Sequence, residues 1–221
     1  MNQESKKSTR ILIVDDHAMV REGLATFLSN QPGMQVCGEA SGASEAMRQI
    51  EQNRPDFMIV DMSLKVGHGI ELIKQVHALD PSIKMLGLSM HDECLYAERA
   101  IRAGAMGYLS KEHSRTLIID AIRTILRGQV FLSDAMTSRL LKRSIGKEED
   151  SIKEPIDTLS DREMQVFQLI GQGITVREIA NKLELSPKTV ETYRENIKAK
   201  LGLDNATELI RHAVLRFIEE T

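Results

Sequence analysis

The sequence predicts a doubly wound α/β domain built on five parallel strands, followed by a small all-α domain of four helices. Three observations carry this prediction. Five short apolar runs alternate with segments of helical period over the first ~120 residues, the pattern of a parallel sheet with crossover helices. Most of those runs end in polar or charged residues. From residue 155 onward the pattern is helical throughout, with a capping signal at nearly every start.

The elements follow in order. Ile11-Leu12-Ile13-Val14 is a short apolar strand that ends in Asp15-Asp16. Val20, Leu24, Phe27 and Leu28 then share one helical face, which Gln31-Pro32-Gly33 closes. Residues 34–40 form a second strand, and Ala46, Met47 and Ile50 mark the helix after it. Phe57–Asp61 is too short and too apolar for a surface helix and suits a buried parallel strand. Ile70, Leu72, Ile73 and Val76 give the next helix. Residues 83–88 are a fourth strand, ending in Ser89, and a helix around 95–101 closes at Gly104. Residues 106–109 are a fifth strand, ending in Ser110-Lys111, and a helix through Ile118, Ile122 and Ile125 stops at Gly128.

The second domain opens with Ser160-Asp161-Arg162-Glu163, a capping box, and Val166, Phe167 and Ile170 form its apolar face. Thr175-Val176-Arg177-Glu178 is a second capping box. Ser186-Pro187 places an N-cap before a proline at the first helical position, and Asn205 to Glu208 open a fourth helix. The expected division is a disordered tail (1–9), an α/β domain (10–127), a linker with room for a short helix at 133–143 (128–154), and the all-α domain (155–221).

Bulk properties narrow the function classes. A length of 221 residues allows two modest domains. No apolar run approaches the ~18 residues of a membrane span, and residues 1–10 are too polar for a signal peptide. Two cysteines, Cys37 and Cys94, are too few for a disulfide framework, which points to a reducing, cytoplasmic setting. A net charge of −3 excludes a strongly basic nucleic-acid binder but leaves room for one basic face.

In a parallel sheet the carboxyl ends of the strands share one rim, where ligands bind. That rim gathers Asp15, Asp16, Asp61, Ser89 and Lys111. From the Asp61 run alone, a phosphoryl acceptor and a mere helix cap stand on equal terms. The company on the rim favours the acceptor. Three adjacent carboxylates repel, and Mg²⁺ relieves that with one or two carboxylates, phosphate and water. Lys111 and Ser89 can meet phosphoryl oxygens.

These residues carry a resemblance. Ile11 to His17, Val60-Asp61, Leu88-Ser89 and Gly104 to Lys111 resemble a response-regulator receiver domain, of flavodoxin-like fold, over residues 10–126. The resemblance implies that Asp61 accepts a phosphoryl group from a sensor histidine kinase or phosphotransfer protein. It implies Mg²⁺ bound by Asp16 and Asp61, by Asp15 mainly through water, and by the Ser63 backbone carbonyl. Ser89 would be the switch hydroxyl and Tyr108 the aromatic that turns inward with it. One departure is Leu64-Lys65-Val66, where the family often has Met-Pro-Gly; the missing proline frees that loop.

Residues 176–201 have the form of a helix–turn–helix, without the turn glycine common in that motif. Val190, Ile197 and Leu201 make the inward stripe of its second helix, leaving Lys188, Thr192 and Glu195 on the opposite face. By pattern alone, this face serves DNA or protein equally well. Residues 157–214 resemble the LuxR-type helix–turn–helix of the NarL/FixJ class, through Leu159 to Glu163, Ile179-Ala180, Leu183, Leu185-Ser186, Thr189-Val190 and Lys200 to Gly202. The implied base-reading residues are Glu191, Thr192 and Glu195, with Lys188, Thr189, Arg194 and Lys198 for the phosphate backbone. Relatives commonly carry a basic residue where this chain has Glu191, which affects the target sequence rather than the docking mode.

The expected function is therefore a phosphorylation-activated, DNA-binding transcriptional regulator of a two-component system. It is expected to be a homodimer when active, with no enzymatic turnover and no membrane contact. Two other classes remain open on residues alone: a phosphorylation-dependent protein adaptor, distinguished by lack of salt-sensitive DNA affinity, and an aspartate-based phosphatase, distinguished by turnover on a phosphoester.

Overall fold

The computed structural model describes residues 8–64, 69–89, 93–111, 115–145 and 155–219. The chain divides into two compact units, residues 1–142 and 143–221.

The first unit is a five-stranded sheet in the order β2-β1-β3-β4-β5, formed by β1 (Thr9–Val14), β2 (Met34–Ala40), β3 (Phe57–Asp61), β4 (Lys84–Ser89) and β5 (Gly107–Ser110). Every pairing is parallel. Alternation of side chains along each strand sends Ile11, Ile13, Phe57, Ile59, Leu86 and Leu88 to one face. There they pack with Leu24 and Leu28 of α1 (Ala18–Ser29) and Ile118, Ile122 and Ile125 of α5 (Arg115–Leu126). The other face lies under α2 (Ala43–Asn53), α3 (Gly69–Leu79) and α4 (Glu93–Ala103), which contact one another in sequence. With β1 and β3 buried on both faces, their near-continuous apolar runs are accounted for.

Several boundaries differ from the sequence expectation. β1 starts at Thr9, inside the stretch expected as a tail, because Thr9 pairs with Met34 and its N–H donates to the Gly33 carbonyl at 2.9 Å. β4 and β5 end one residue later than expected, because Ser89 and Ser110 still pair with each other. Residues 128–145 are more than a linker. The Phe131 N–H donates to Met106 O at 2.9 Å and the Tyr108 N–H to Phe131 O at 3.1 Å, so this segment lies along the free edge of β5. It continues into α6 (Asp134–Ile145), where Ser133 Oγ accepts from the Met136 N–H at 3.1 Å. Residues 1–7 and 146–154 lie outside the described residues.

The second unit follows a 3-10 turn at Pro155–Thr158 with α7 (Asp161–Gly171), α8 (Val176–Lys182), α9 (Pro187–Leu201) and α10 (Ala206–Glu219). Both expected capping boxes are formed, at Ser160/Glu163 and Thr175/Glu178, and Ser186 caps α9 by accepting from the Thr189 N–H at 3.0 Å. Phe167, Ile170, Ile179, Leu183, Val190 and Ile197 are buried in its core. No described helix is long and apolar enough to cross a membrane.

Candidate functional site

The strand order places a topological switch point between β1 and β3, the place where ligands bind in open parallel sheets. Val14 pairs with Val60, so the chain positions that follow, Asp15 and Asp61, emerge side by side. Both are 1% exposed. Lys111, at the end of β5, reaches across this rim. Its Nζ lies 2.7 Å from Asp15 Oδ2 and 2.9 Å from Asp61 Oδ2. Ser89 is fully buried one residue past Leu88, the strand partner of Asp61, and its carbonyl accepts from the Lys111 N–H at 2.7 Å. The Ser63 N–H donates to Asp61 Oδ1 at 3.0 Å, fixing that carboxylate, while the buried Ser63 hydroxyl has no hydrogen-bond partner.

Burial pushes the Asp61 carboxyl above its ordinary range; Lys111 opposes this and the charge of Asp15 adds to it. For Lys111, burial acts against the charged form, but Asp61 and Asp15 outweigh it and hold the ammonium above its usual value. Three carboxylates and one ammonium leave this buried cluster with excess negative charge. Ligand atoms of Asp15, Asp16, His17 and Asp61 lie within 4.8 Å of one another. A hard oxygen-rich set of this kind fits Mg²⁺.

Tyr108 is fully buried. It packs where Gly87 and Met62 leave space; a Cβ on Gly87 would fall 3.3 Å from the Tyr108 ring and 3.2 Å from Met62 Cε. Leu64 of the departing loop is fully buried, and Lys65 and Val66 lie outside the described residues.

Three neighbours of this rim were not assigned from sequence. His17 brings Nδ1 within 2.9 Å of Asp16 Oδ1. Arg21, one turn into α1, donates from Nη1 to the Asp15 carbonyl at 2.6 Å, and its Nε lies 3.4 Å from Glu39 of β2. Gly69 lets the first residue of α3 come against the Asp61 carbonyl. The Asp-Asp-His spacing was the available signal for His17; nothing local marked the other two.

In the second unit, α8 and α9 form the expected helix–turn–helix. Glu184 supplies the left-handed turn residue, at φ 53°, where the motif commonly has glycine. Arg162 holds that turn by donating to the Leu183 carbonyl at 2.8 Å. On α9, Lys188, Glu191, Thr192 and Glu195 are exposed. Thr189 is partly buried, its hydroxyl 2.8 Å from Ser186 Oγ. Arg194 and Lys198 are mostly covered and paired along the helix with Glu191 at 2.8 Å and Glu195 at 2.9 Å.

Sequence reading used Glu163 only as a cap, but it also fixes α9. Its Oε2 accepts from the Ser160 N–H at 2.7 Å and from Lys200 Nζ at 2.6 Å. Burial would raise the Glu163 carboxyl, but the hydrogen bonds from Lys200 and Ser160 outweigh it and hold it below its usual range. An acid depressed in the folded state contributes stability above its unfolded value of ~4.3, and loses that contribution as pH falls through the folded value. Glu163→Gln is therefore expected to lower the melting temperature of the second unit at pH 7. The deficit should shrink progressively below about pH 5. Melting curves at matched pH check this; a deficit constant down to pH 3 would remove Glu163 as its source.

Comparison with known proteins agrees with this geometry. Residues 11–123 match the response regulator receiver domain, and residues 157–213 match the family of bacterial regulatory proteins, luxR family. The chain is 35% identical over 209 residues to the oxygen regulatory protein NreC of Staphylococcus carnosus (strain TM300), covering 93% of this chain and 96% of that one. It is 33% identical over 204 residues to the response regulator UvrY of Escherichia coli (strain K12), covering 92% and 93%. Among solved structures, RcsB from Salmonella enterica serovar Typhimurium, bound to promoter rprA in the presence of phosphomimetic BeF3⁻, matches with a TM-score of 0.63 at 26% identity over 94% of this chain and 99% of that one. The luxR-family match decides between the DNA-binding and adaptor readings in favour of the first. The chain thus belongs to the NarL/FixJ family of two-component response regulators, DNA-binding transcriptional regulators that join a receiver domain to a LuxR-type helix–turn–helix.

Proposed function

We propose that Asp61 is the phosphoryl acceptor through which a sensor histidine kinase or phosphotransfer protein controls DNA binding by α9. The observation that carries this reading is the Lys111 ammonium spanning the buried Asp15 and Asp61 at the sheet's switch point. An Asp61 carboxylate oxygen forms the new bond to phosphorus as the donor's nitrogen–phosphorus bond breaks, and the imidazole leaves with its electron pair. Lys111 then turns from Asp61 to a phosphoryl oxygen, and the Ser89 hydroxyl donates to another. Asp15, Asp16, Asp61 and the Ser63 carbonyl would hold Mg²⁺, which when bound offsets the charge of those oxygens.

The new contacts of Lys111 and Ser89 with the phosphoryl oxygens would hold the receiver in the state in which Tyr108 stays inward, and this two-state balance is what the phosphoryl group biases. The active form is a homodimer on a two-fold-related site. Glu191, Thr192 and Glu195 would enter the major groove; Lys188 and Thr189 would serve phosphates, joined by Arg194 and Lys198 once their glutamate pairs open. A regulator that reads chromosomal DNA in this way works in the cytoplasm, and it needs no catalytic turnover of its own.

Genome-wide DNA occupancy compared between the wild type and Asp61→Asn tests the whole reading. Discrete sites that weaken or vanish in the variant are expected; no discrete sites in either protein would sink it. Labelling by a small phosphodonor with Mg²⁺ tests the acceptor alone, since label retained by Asp61→Asn would place it elsewhere.

A further inference from the structure

We infer that His17 is a further ligand of the divalent-cation site, and that its imidazole makes the site favour late first-row ions such as Ni²⁺ over Mg²⁺ more than the carboxylates alone would. This rests on the Mg²⁺-site reading given above. His17 occupies the N-cap position of α1, where a side chain ordinarily accepts from a helix N–H, yet its ring makes no such bond. Its backbone N–H donates instead to Asp15 Oδ1 at 2.8 Å, and its ring lies beside the acids. Nδ1 then lies 2.9 Å from Asp16 Oδ1 and 3.4 Å from Asp15 Oδ1.

Two lone pairs do not sit at such distances unless a proton or a cation lies between them. For metal–oxygen bonds of ~2.1 Å, neighbouring ligands of an octahedral ion are about 3.0 Å apart, close to the 2.9 Å between His17 Nδ1 and Asp16 Oδ1. The donor atoms of Asp15, Asp16, His17 and Asp61 all fall within 4.8 Å of each other, so one ion can be shared with little movement. The ring is 58% exposed and stands at the mouth of a buried acid cluster, free to adjust to an incoming ion. Imidazole nitrogen suits nickel, cobalt and zinc, whereas Mg²⁺ prefers hard oxygen. Removing His17 therefore acts selectively by ion. Were the ring only a hydrogen-bond donor to Asp16, it would compete with every cation, and its removal would tighten Mg²⁺ binding.

Titration calorimetry on the full chain with MgCl₂ and with NiCl₂ separates these cases, using wild type, His17→Ala, His17→Asn and Asp16→Asn. Asp16→Asn removes a proposed carboxylate ligand and is expected to weaken both ions, which assigns the titrated heat to this cluster. Both His17 variants are expected to weaken Ni²⁺ about ten-fold or more while Mg²⁺ affinity moves by less than about two-fold. Equal changes for both ions, no change for either, or tighter Mg²⁺ binding would overturn the inference. Failure of the wild type to bind Mg²⁺ at all would overturn the site reading beneath it and the inference with it. Circular dichroism of each variant confirms that the chain is folded before titration.

Discussion

Lys111→Met is expected to destabilise the receiver unit by about 3–5 kcal/mol in metal-free buffer, the range for removing one partner of a buried ion pair. The Lys111 side chain is 8% exposed and those of Asp15 and Asp61 are 2% or less, so water cannot replace the lost ammonium. Methionine keeps the aliphatic stem in place, which isolates the charge from the packing. Two carboxylates would then face each other with no cation between them. The measurement is the urea midpoint with a chelator, repeated in excess Mg²⁺. Because a cation bound only by the folded state stabilises it by mass action, Mg²⁺ should raise the variant's midpoint more than the wild type's. A midpoint unchanged in chelator would remove Lys111 as the balancing charge. An equal Mg²⁺ effect in both proteins would mean that packing, not charge, was lost.

The meeting of Asp15, Asp61, Ser89 and Lys111 was legible because parallel strands deliver their carboxyl ends to one rim, and each apolar run announces where its strand stops. What a run does not announce is register. The one-residue extension that buries Ser89 depends on the Ser89–Ser110 pairing, a property of two strands together. The Phe131 contact with the β5 edge was hidden for a related reason: a single bridged residue has no period to detect. In the second unit the caps were legible because their partners lie three residues apart. The Glu163–Lys200 pair was not, because it joins helices 37 positions apart. The missing turn glycine proved to be a difference of residue type alone, since Glu184 adopts the same left-handed backbone.

Gly69→Ala is expected to remove phosphoryl acceptance by a route distinct from the chemistry of Asp61. A Cβ at this position would fall 2.2 Å from the Asp61 carbonyl oxygen and 2.8 Å from Met62 Cα. Both are backbone atoms, so no side chain can swing aside. β3 is buried along its whole length and held between β1 and β4, which leaves the turn after Asp61 as the part that can move. That turn carries the Ser63 N–H bonded to Asp61 Oδ1 and the carbonyl proposed as a metal ligand. Overpacking of this kind costs about 1–3 kcal/mol, a loss the domain can survive while the carboxylate is displaced. Gly87→Ala is the control: its Cβ would meet the end of the Met62 side chain and the edge of the Tyr108 ring at 3.2–3.3 Å, and methionine can give way. The readouts are urea midpoint and the rate of labelling by a small phosphodonor, taken on the fraction that is folded. Gly69→Ala should lose labelling far beyond its loss of folded protein, whereas Gly87→Ala should keep most of both. Normal labelling of folded Gly69→Ala would show that α3 yields instead, and that the glycine serves helix packing rather than the position of Asp61.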